Sequence, residues 1–282
     1  ALVKAGSGVL DLTGSNSYTG GTLINGGAIR VDGFARLGTG PVLSNAGGSL
    51  ILNYNGAGQL LQTTSFMTGG GSFIKEGGGD VVLDAANTFT GGTTIRAGRI
   101  GLNTGDALGT GSIQGDSGTE LGVGGIILNN NLTGSGLVRK TASNVVEFYG
   151  DNSAFTGTIQ IDAGQLYVTN GNSLGSGTLL INGGTSVQLD AATTTTVAAG
   201  LSGAGDFEKI GAERAILTGD GTAFSGSVSI TSGTLQIAGT QNIGGATVLV
   251  GSAGTLRLDT TGFSVFNNTL LGAGNLIKTG TG

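Results

Sequence analysis

The chain is expected to be all-β and wound as a solenoid, on three observations. It repeats one unit four times and begins a fifth, its apolar residues alternate over short runs, and variation in length between the copies is confined to one part of the unit. All five lysines mark the repeat: Lys4, Lys75, Lys140, Lys209 and Lys278, at steps of 71, 65, 69 and 69 residues. Fourteen or fifteen residues after each of the first four stands an aromatic, Tyr18, Phe89, Phe155 or Phe224. Six residues beyond each aromatic come Ile24, Ile95, Ile161 and Ile230. Nine beyond come Gly27, Gly98, Gly164 and Gly233, and further on Leu37-Gly38, Leu108-Gly109, Leu174-Gly175 and Ile243-Gly244. Units start near residues 2, 73, 138 and 207, with a fifth begun at 276, and residues 1–282 read as a single segment of something longer.

Within a unit, the elements follow in order. After the lysine comes an apolar run: Val9 to Leu12, Val81-Val82-Leu83, Val145-Val146-x-Phe148, Ile216-Leu217. A turn of Gly, Asn and Asp follows, such as Thr13-Gly14-Ser15-Asn16 or Gly150-Asp151-Asn152. Beyond the aromatic the alternation is strict, as in Thr158-Ile159-Gln160-Ile161 and Gln165-Leu166-Tyr167-Val168. Period-two alternation bounded by Gly, Asn and Asp is the mark of a strand. No window keeps helical spacing for three turns, and each glycine would cost a helix about 1 kcal/mol, so no helix is expected. Asn25-Gly26, Asp32-Gly33 and Asn55-Gly56 would also suit hairpins, and it is the length variation that selects a solenoid. From each lysine to Val42, Ile113, Leu179 or Val248 the copies differ by at most one residue, as stacked coils require when insertions are admitted at one corner. About three coils of roughly 22 to 24 residues per unit give about a dozen in all. Ile24 and its equivalents are then expected one above another in a single inner column, with Gly and Asn at the corners.

Composition narrows the function. Glycine fills 60 of 282 positions, yet proline occurs once, at Pro41, and glycine has no period of three, which excludes collagen. With 38% hydrophobic residues, 10% charged and a net charge of −5, the chain is not of disordered composition. Cysteine, histidine and tryptophan are absent, which removes disulfides, thiolate metal sites and an imidazole base. A sequence pI near 4.6 with scattered arginines leaves no stripe for nucleic acid, and no apolar run approaches the ~20 residues of a membrane span.

Several motifs imitate chemistry. Gly171-Asn-Ser-Leu-Gly175 has the spacing of a serine-nucleophile turn, but without histidine it reads as the repeat's own turn. Ser72-Phe-Ile-Lys75 and Lys278-Thr-Gly280 mimic β-lactamase motifs and contain only repeat lysines. Gly77-Gly-Gly-Asp80 is a single calcium-like turn where tandem copies are needed. Thr193 to Thr196 lacks a recurring ladder. Asp80 with Asp84, Glu147 with Asp151, and Asp206 with Glu208 are the carboxylates to test for a glycosidase pair. No catalytic, cofactor-binding or metal-binding residue is expected. The lysines are too far apart to act as one patch and are expected to cap corner carbonyls or to block lateral strand pairing.

The string Asn16-Ser-Tyr-Thr-Gly-Gly-Thr-Leu-Ile-Asn-Gly-Gly-Ala-Ile, preceded by Lys4-Ala-Gly-Ser-Gly-Val-Leu-Asp-Leu-Thr-Gly, resembles the passenger-associated transport repeat of bacterial autotransporters. Lys75, Leu83 and Asn87-Thr-Phe-Thr-Gly-Gly-Thr-Thr-Ile-Arg-Ala-Gly-Arg-Ile repeat the likeness. The third and fourth copies are weaker: Asn152 has an extra residue before Phe155, and Gly221 stands where asparagine is expected. The resemblance implies a right-handed parallel β-helix, type V secretion, a C-terminal outer-membrane barrel on the same polypeptide, and a location at the cell surface. It also implies repeats that aid passage and extracellular folding, and no catalytic residues. The expected function is a non-enzymatic stalk of an adhesin, whose partner is a host-surface or neighbouring-cell ligand or a second copy, since flanks of sheet with few charges can pair. The alternative is a polysaccharide lyase or glycosidase on the same fold. A chain without cysteine has no crosslink to obstruct threading through a pore, and coils that touch only their neighbours can fold as they emerge.

Overall fold

The computed structural model describes residues 1–282 except Thr63, Ser65 and Ser264, with Thr240 and Gln241 described by backbone alone. It is a parallel β-solenoid of about 14 turns with no α-helix among the described residues. Every strand pairing described is parallel. The chain divides into two compact units, Ala1–Leu137 and Val138–Gly282.

The amino-terminal unit has three faces, each a sheet. The first holds Leu2–Lys4, Thr22–Ile24, Val42–Ser44, Met67–Gly69 and Thr88–Phe89. The second holds Val9–Leu12, Gly27–Val31, Gly48–Asn53, Ser72–Glu76, Thr93–Ile95, Ile113–Gly115 and Leu132–Gly134. The third includes Leu60–Gln62, Asp80–Leu83, Arg99–Leu102 and Glu120–Val123. In-register pairing sets the core: Leu10, Ile29, Leu50, Phe73, Thr93, Ile113 and Leu132 form one column on the second face. Phe73 is fully buried, edge-on to Phe66 and tilted against Phe89, at centroid distances of 5.5 and 6.3 Å.

The carboxy-terminal unit is built the same way. Val146, Leu166, Val187, Phe207, Val228 and Val248 form one column and Phe148, Val168, Leu189, Lys209, Ile230 and Val250 the next. A second sheet carries Thr158–Ile161, Thr178–Ile181 and Gly200–Gly203, and a third row joins Thr195–Val197 to Arg214–Leu217 and on to Thr234 and Thr255.

Four single-turn 3-10 segments, Phe34–Leu37, Gly105–Leu108, Gly171–Leu174 and Thr240–Ile243, lie at the repeated Leu-Gly and Ile-Gly positions. All four are followed by a glycine at positive φ: Gly38, Gly109, Gly175 and Gly244. At Gly109 (φ 62°) a Cβ would stand 2.0 Å from the Phe89 carbonyl oxygen of the coil below. Backbone handedness and close approach both demand glycine there. No described non-glycine residue has positive φ.

The coil is shorter than expected, and this changes the stacking. Leu2 partners Thr22 and Thr22 partners Val42, steps of 20 residues, and across the described pairings the step runs from 19 (Val9 to Ala28) to 25 (Val42 to Met67), mostly 20 or 21. A 69-residue lysine step over a coil of 20 to 21 residues is about three and a third turns, not three. Successive repeats therefore land on successive faces. Lys4 lies on the first face beside Ile24, and Lys75 on the second between Leu52 and Ile95. In the other unit Lys209 sits between Leu189 and Ile230, and Lys278 beside Leu258 on the next row. Ile24, Ile95, Ile161 and Ile230 are all fully buried, but they do not share the single column that the repeat suggests.

Truncating Phe73 to alanine is expected to lower stability by about 3–5 kcal/mol, because a rigid stack closes poorly around the void. Leu43→Ala, on an outward position, is expected to change it by less than ~0.5 kcal/mol. Urea unfolding followed by far-UV circular dichroism measures both.

Candidate functional site

The side chains that carry the repeat point inward. Lys75, Lys140 and Lys209 are almost completely excluded from solvent and Lys4 nearly so. Each ammonium donates to three backbone carbonyls. Lys75 Nζ reaches Glu76 (2.8 Å), Gly77 (2.6 Å) and Ala97 (3.2 Å). Lys140 reaches Ala142, Asn144 and Ala163, and Lys209 reaches Ile210, Gly211 and Ser232. Lys4 reaches Ala5, Gly6 and Gly26. In every case two acceptors belong to the lysine's own corner and the third lies 22 or 23 residues on, in the following coil. Lys278 donates to Thr279 and Thr260. Burial pushes the Lys75, Lys140 and Lys209 ammonium groups below the ordinary lysine value; Asp80 opposes this at Lys75, and Asp190 and Glu213 do so at Lys209. The capping of corner carbonyls expected of the lysines is thus present, from inside the coil.

The motif asparagine is a second brace, a role that its place in the repeat did not reveal. Asn87 is buried and uses all four of its hydrogen-bonding capacities. Its amide nitrogen donates to Ala107 (2.7 Å) and Ala85 (3.3 Å), and its oxygen accepts from the Phe66 and Met67 N–H groups (2.8 and 3.1 Å). Three coils are tied through one side chain. Asn16 donates equivalently to Arg36, and Asn152 to Ser173, despite the extra residue before Phe155. The signal that could have found the brace is its recurrence at a turn where an outward polar residue would be free to vary.

The remaining candidates resolve into the same framework. Ser173 lies buried in the 3-10 turn and donates to the Gly150 carbonyl (2.9 Å), so the Gly171–Gly175 motif is a repeat turn. In Gly77-Gly-Gly-Asp80 the Gly77 carbonyl is occupied by the Lys75 ammonium. Thr195 is buried, bonded to Asn170 and to the Gly171 N–H, while Thr193 and Thr196 are exposed. Glu147 accepts from the Tyr149 hydroxyl, Asp151 from the Ser153 N–H, Asp206 from Ser227, and Glu208 from Gln188 and Thr231. Asp80 stands in register with Arg99, and Asp84 is exposed.

Three shallow depressions lie on the amino-terminal unit, of about 570, 630 and 230 Å³. None is lined by the six candidate carboxylates. The smallest is lined by Asp11 and Asp32, two acids that the sequence did not single out, and by Arg30. Asp11 pairs with Arg30 (3.6 Å) and Asp32 with Arg36 (2.6 Å). Hydrogen bonding to Arg36 holds the Asp32 carboxyl below its ordinary value, the reverse of what a general acid needs. No group of three or more Asp and Glu side chains among the described residues is placed to hold a metal ion.

The arrangement therefore offers internal bracing and polar, weakly charged outer faces, and a comparison with known proteins says what it belongs to. The sequence profile of the passenger-associated transport repeat matches residues 2–31, 73–101 and 207–237. The chain carries the repeats of autotransporter passengers. The matches cover the first, second and fourth copies, and each of those spans includes a bracing lysine. The chain is 29% identical over 246 residues to an uncharacterized lipoprotein, YdeK, of Escherichia coli strain K12, covering 78% of this chain and 18% of that protein. It is 30% identical over 220 residues to the adhesin BmaC autotransporter of Brucella suis biovar 1, covering 63% of this chain and 6% of that one. The chain thus spans under a fifth of the length of either relative. No solved structure matches. As a passenger segment the chain is located at the bacterial surface, associated with the outer membrane.

Replacing Lys75 by methionine leaves the Glu76, Gly77 and Ala97 carbonyls without their donor and is expected to cost about 2–4 kcal/mol in urea unfolding. Arg30→Met, on a solvent-screened pair, is expected to cost less than ~1 kcal/mol. A separate test is a titration of Tyr167, which donates to Asp190 (2.9 Å). Burial first, then this bond, push its hydroxyl up to about 12. The native state holds that proton where the unfolded chain has lost it, so its contribution to stability is complete below the ordinary value of 10.0 and is lost as pH rises through about 12. The absorbance titration should show a late-ionising tyrosine that Tyr167→Phe removes.

Proposed function

We propose that this chain is the non-enzymatic stalk of an adhesin, holding distal binding regions away from the outer membrane, with repeats that assist passage and folding outside the cell. The supporting observation is where the repeated residues point. The lysines and motif asparagines, the side chains that recur with the unit, make polar contacts to backbone groups of their own and neighbouring coils. What the repeat preserves is a way to stack coils. Glu147, Asp151, Asp206 and Glu208 bond to hydroxyl, amide and backbone donors, and none of the six candidate carboxylates lines the three depressions described, which favours the stalk over a polysaccharide-degrading enzyme. The adhesin half of the reading draws support from the Brucella relative's description alone.

The role in export draws its support from four of the braces being forward contacts. Lys4, Lys75, Lys140 and Lys209 each join their coil to the next, so that brace is complete as soon as one neighbour is in place, which suits folding without the rest of the chain.

Deleting one whole repeat, residues 73–137 or 138–206, from the full-length protein tests both halves. The reading expects lower surface display from each deletion, and adherence per displayed molecule altered only through reach. Unchanged display for every deletion would count against the export role, and depolymerisation of a surface polysaccharide by the purified segment would count against the stalk.

A further inference from the structure

The first face of the amino-terminal unit stands apart in its chemistry, and we propose that it is a contact surface for a second copy of this chain. Its strands present one outward residue each, in register: Val3, Leu23, Leu43, Thr68 and Thr88. Val3 is 59% exposed and Leu43 42%, and Leu23 between them is half-buried. Three aliphatic side chains thus form an outward ladder along three coils, continued by two threonines.

The charge distribution identifies the occupant. No residue from Leu37 to Ile74 is charged, nor any from 17 to 29 or 85 to 95, and these stretches supply the first face from its second strand to its last. The one charged residue in its first strand, Lys4, has its ammonium turned inward onto carbonyls. The unit's charge lies on its other faces, with Asp11, Arg30 and Glu76 on the second and Asp80, Arg99 and Glu120 on the third, and at its corners, as with Asp32, Arg36, Asp84 and Asp106. Each copy has a net charge of −5. Two copies that met through their charged faces would have to desolvate ion pairs and oppose carboxylates. Meeting through the first face, they remove only aliphatic, hydroxyl and backbone surface from water. A strongly charged partner would find nothing here to pair with.

The size of the face sets the strength. Five strands at ~4.8 Å spacing, each with its flanking corner residues, give about 500 Å² per copy, or about 1,000 Å² in all, below the ~1,600 Å² of a standard stable interface. The contact is therefore weak and concentration-dependent, and many such contacts between displayed chains would act together. At one edge, Phe34, Leu37, Pro41 and Phe66 line the depression of about 570 Å³, and the Phe34 and Phe66 rings pack at 4.8 Å. It offers an apolar recess to a side chain from the opposing ladder.

Sedimentation velocity of the 282-residue chain over a hundredfold concentration range tests this. The wild type is expected to sediment faster as concentration rises, equally or more so at 0.5 M salt, where the repulsion between negative copies is screened. Leu23→Asp with Leu43→Asp should weaken association at least tenfold, and the milder Leu23→Thr with Leu43→Thr should weaken it measurably with an unchanged circular dichroism spectrum. Leu249→Asp, on an exposed position of the other unit, should leave it as in the wild type. A wild type monomeric throughout, association abolished by salt, or double variants that associate like the wild type would each overturn the proposal.

Discussion

A stacked coil of 20 or so residues encloses a narrow, apolar interior, and the backbone carbonyls at its corners have to find donors there. That constraint governs the rest of the structure. Strand carbonyls bond to the next coil directly, but a corner turns its carbonyls inward where no strand continues, and an unpaired buried carbonyl is costly. The repeat answers with an ammonium. Lys75, Lys140 and Lys209 each place three N–H groups among three carbonyls. A buried charge with no acceptors would be far more expensive than the carbonyls it serves, so cation and corner stabilise each other only as a set. Asn87 does the equivalent with a neutral amide, linking the coils on either side of its own.

The mismatch between repeat and coil shapes what the outside looks like. With about three and a third turns per repeat, the brace moves to a new face each time. A sequence repeated in one dimension therefore does not give a surface repeated along one side. In the amino-terminal unit, the described carboxylate contacts on the second and third faces are mostly to arginine, as with Arg30, Arg96 and Arg99. In the carboxy-terminal unit, Glu147, Asp190, Asp206 and Glu208 accept chiefly from tyrosine, serine, threonine and glutamine. The bracing repeats while the display differs from face to face, as expected of a scaffold whose outer residues are free to vary.

The all-β solenoid was legible because alternation at positions such as Thr158 to Ile161 and Gln165 to Val168 reports burial directly, and the repeat of Lys4, Tyr18, Ile24 and Gly27 reports stacking. The number of residues per turn was not. Coil length is set by how many residues a corner needs, and corners differ: Val9 to Ala28 takes 19 residues and Val42 to Met67 takes 25. Dividing the unit by a whole number gave three coils and one inner column for Ile24, Ile95, Ile161 and Ile230, where the backbone makes a fractional turn and three faces. For the lysines, capping of corner carbonyls was foreseen, but not their burial, since a lone cation in a polar loop ordinarily faces water. The absence of any recurring acid at a fixed distance from each lysine was the clue that carbonyls had to be the partners. Asn152 shows the limit of spacing arguments: its copy departs from the motif by one residue, yet its amide still reaches Ser173 in the next coil.

The most direct measurement of the account is nitrogen-15 NMR of the five lysine ammonium groups. Lys4, Lys75, Lys140 and Lys209 should give slowly exchanging ammonium protons with through-hydrogen-bond correlations to carbonyls of the following coil, Ala97 in the case of Lys75. Five rapidly exchanging, solvent-averaged ammonium groups would contradict it, because the coils would then be stacked by something other than the residue that marks every repeat.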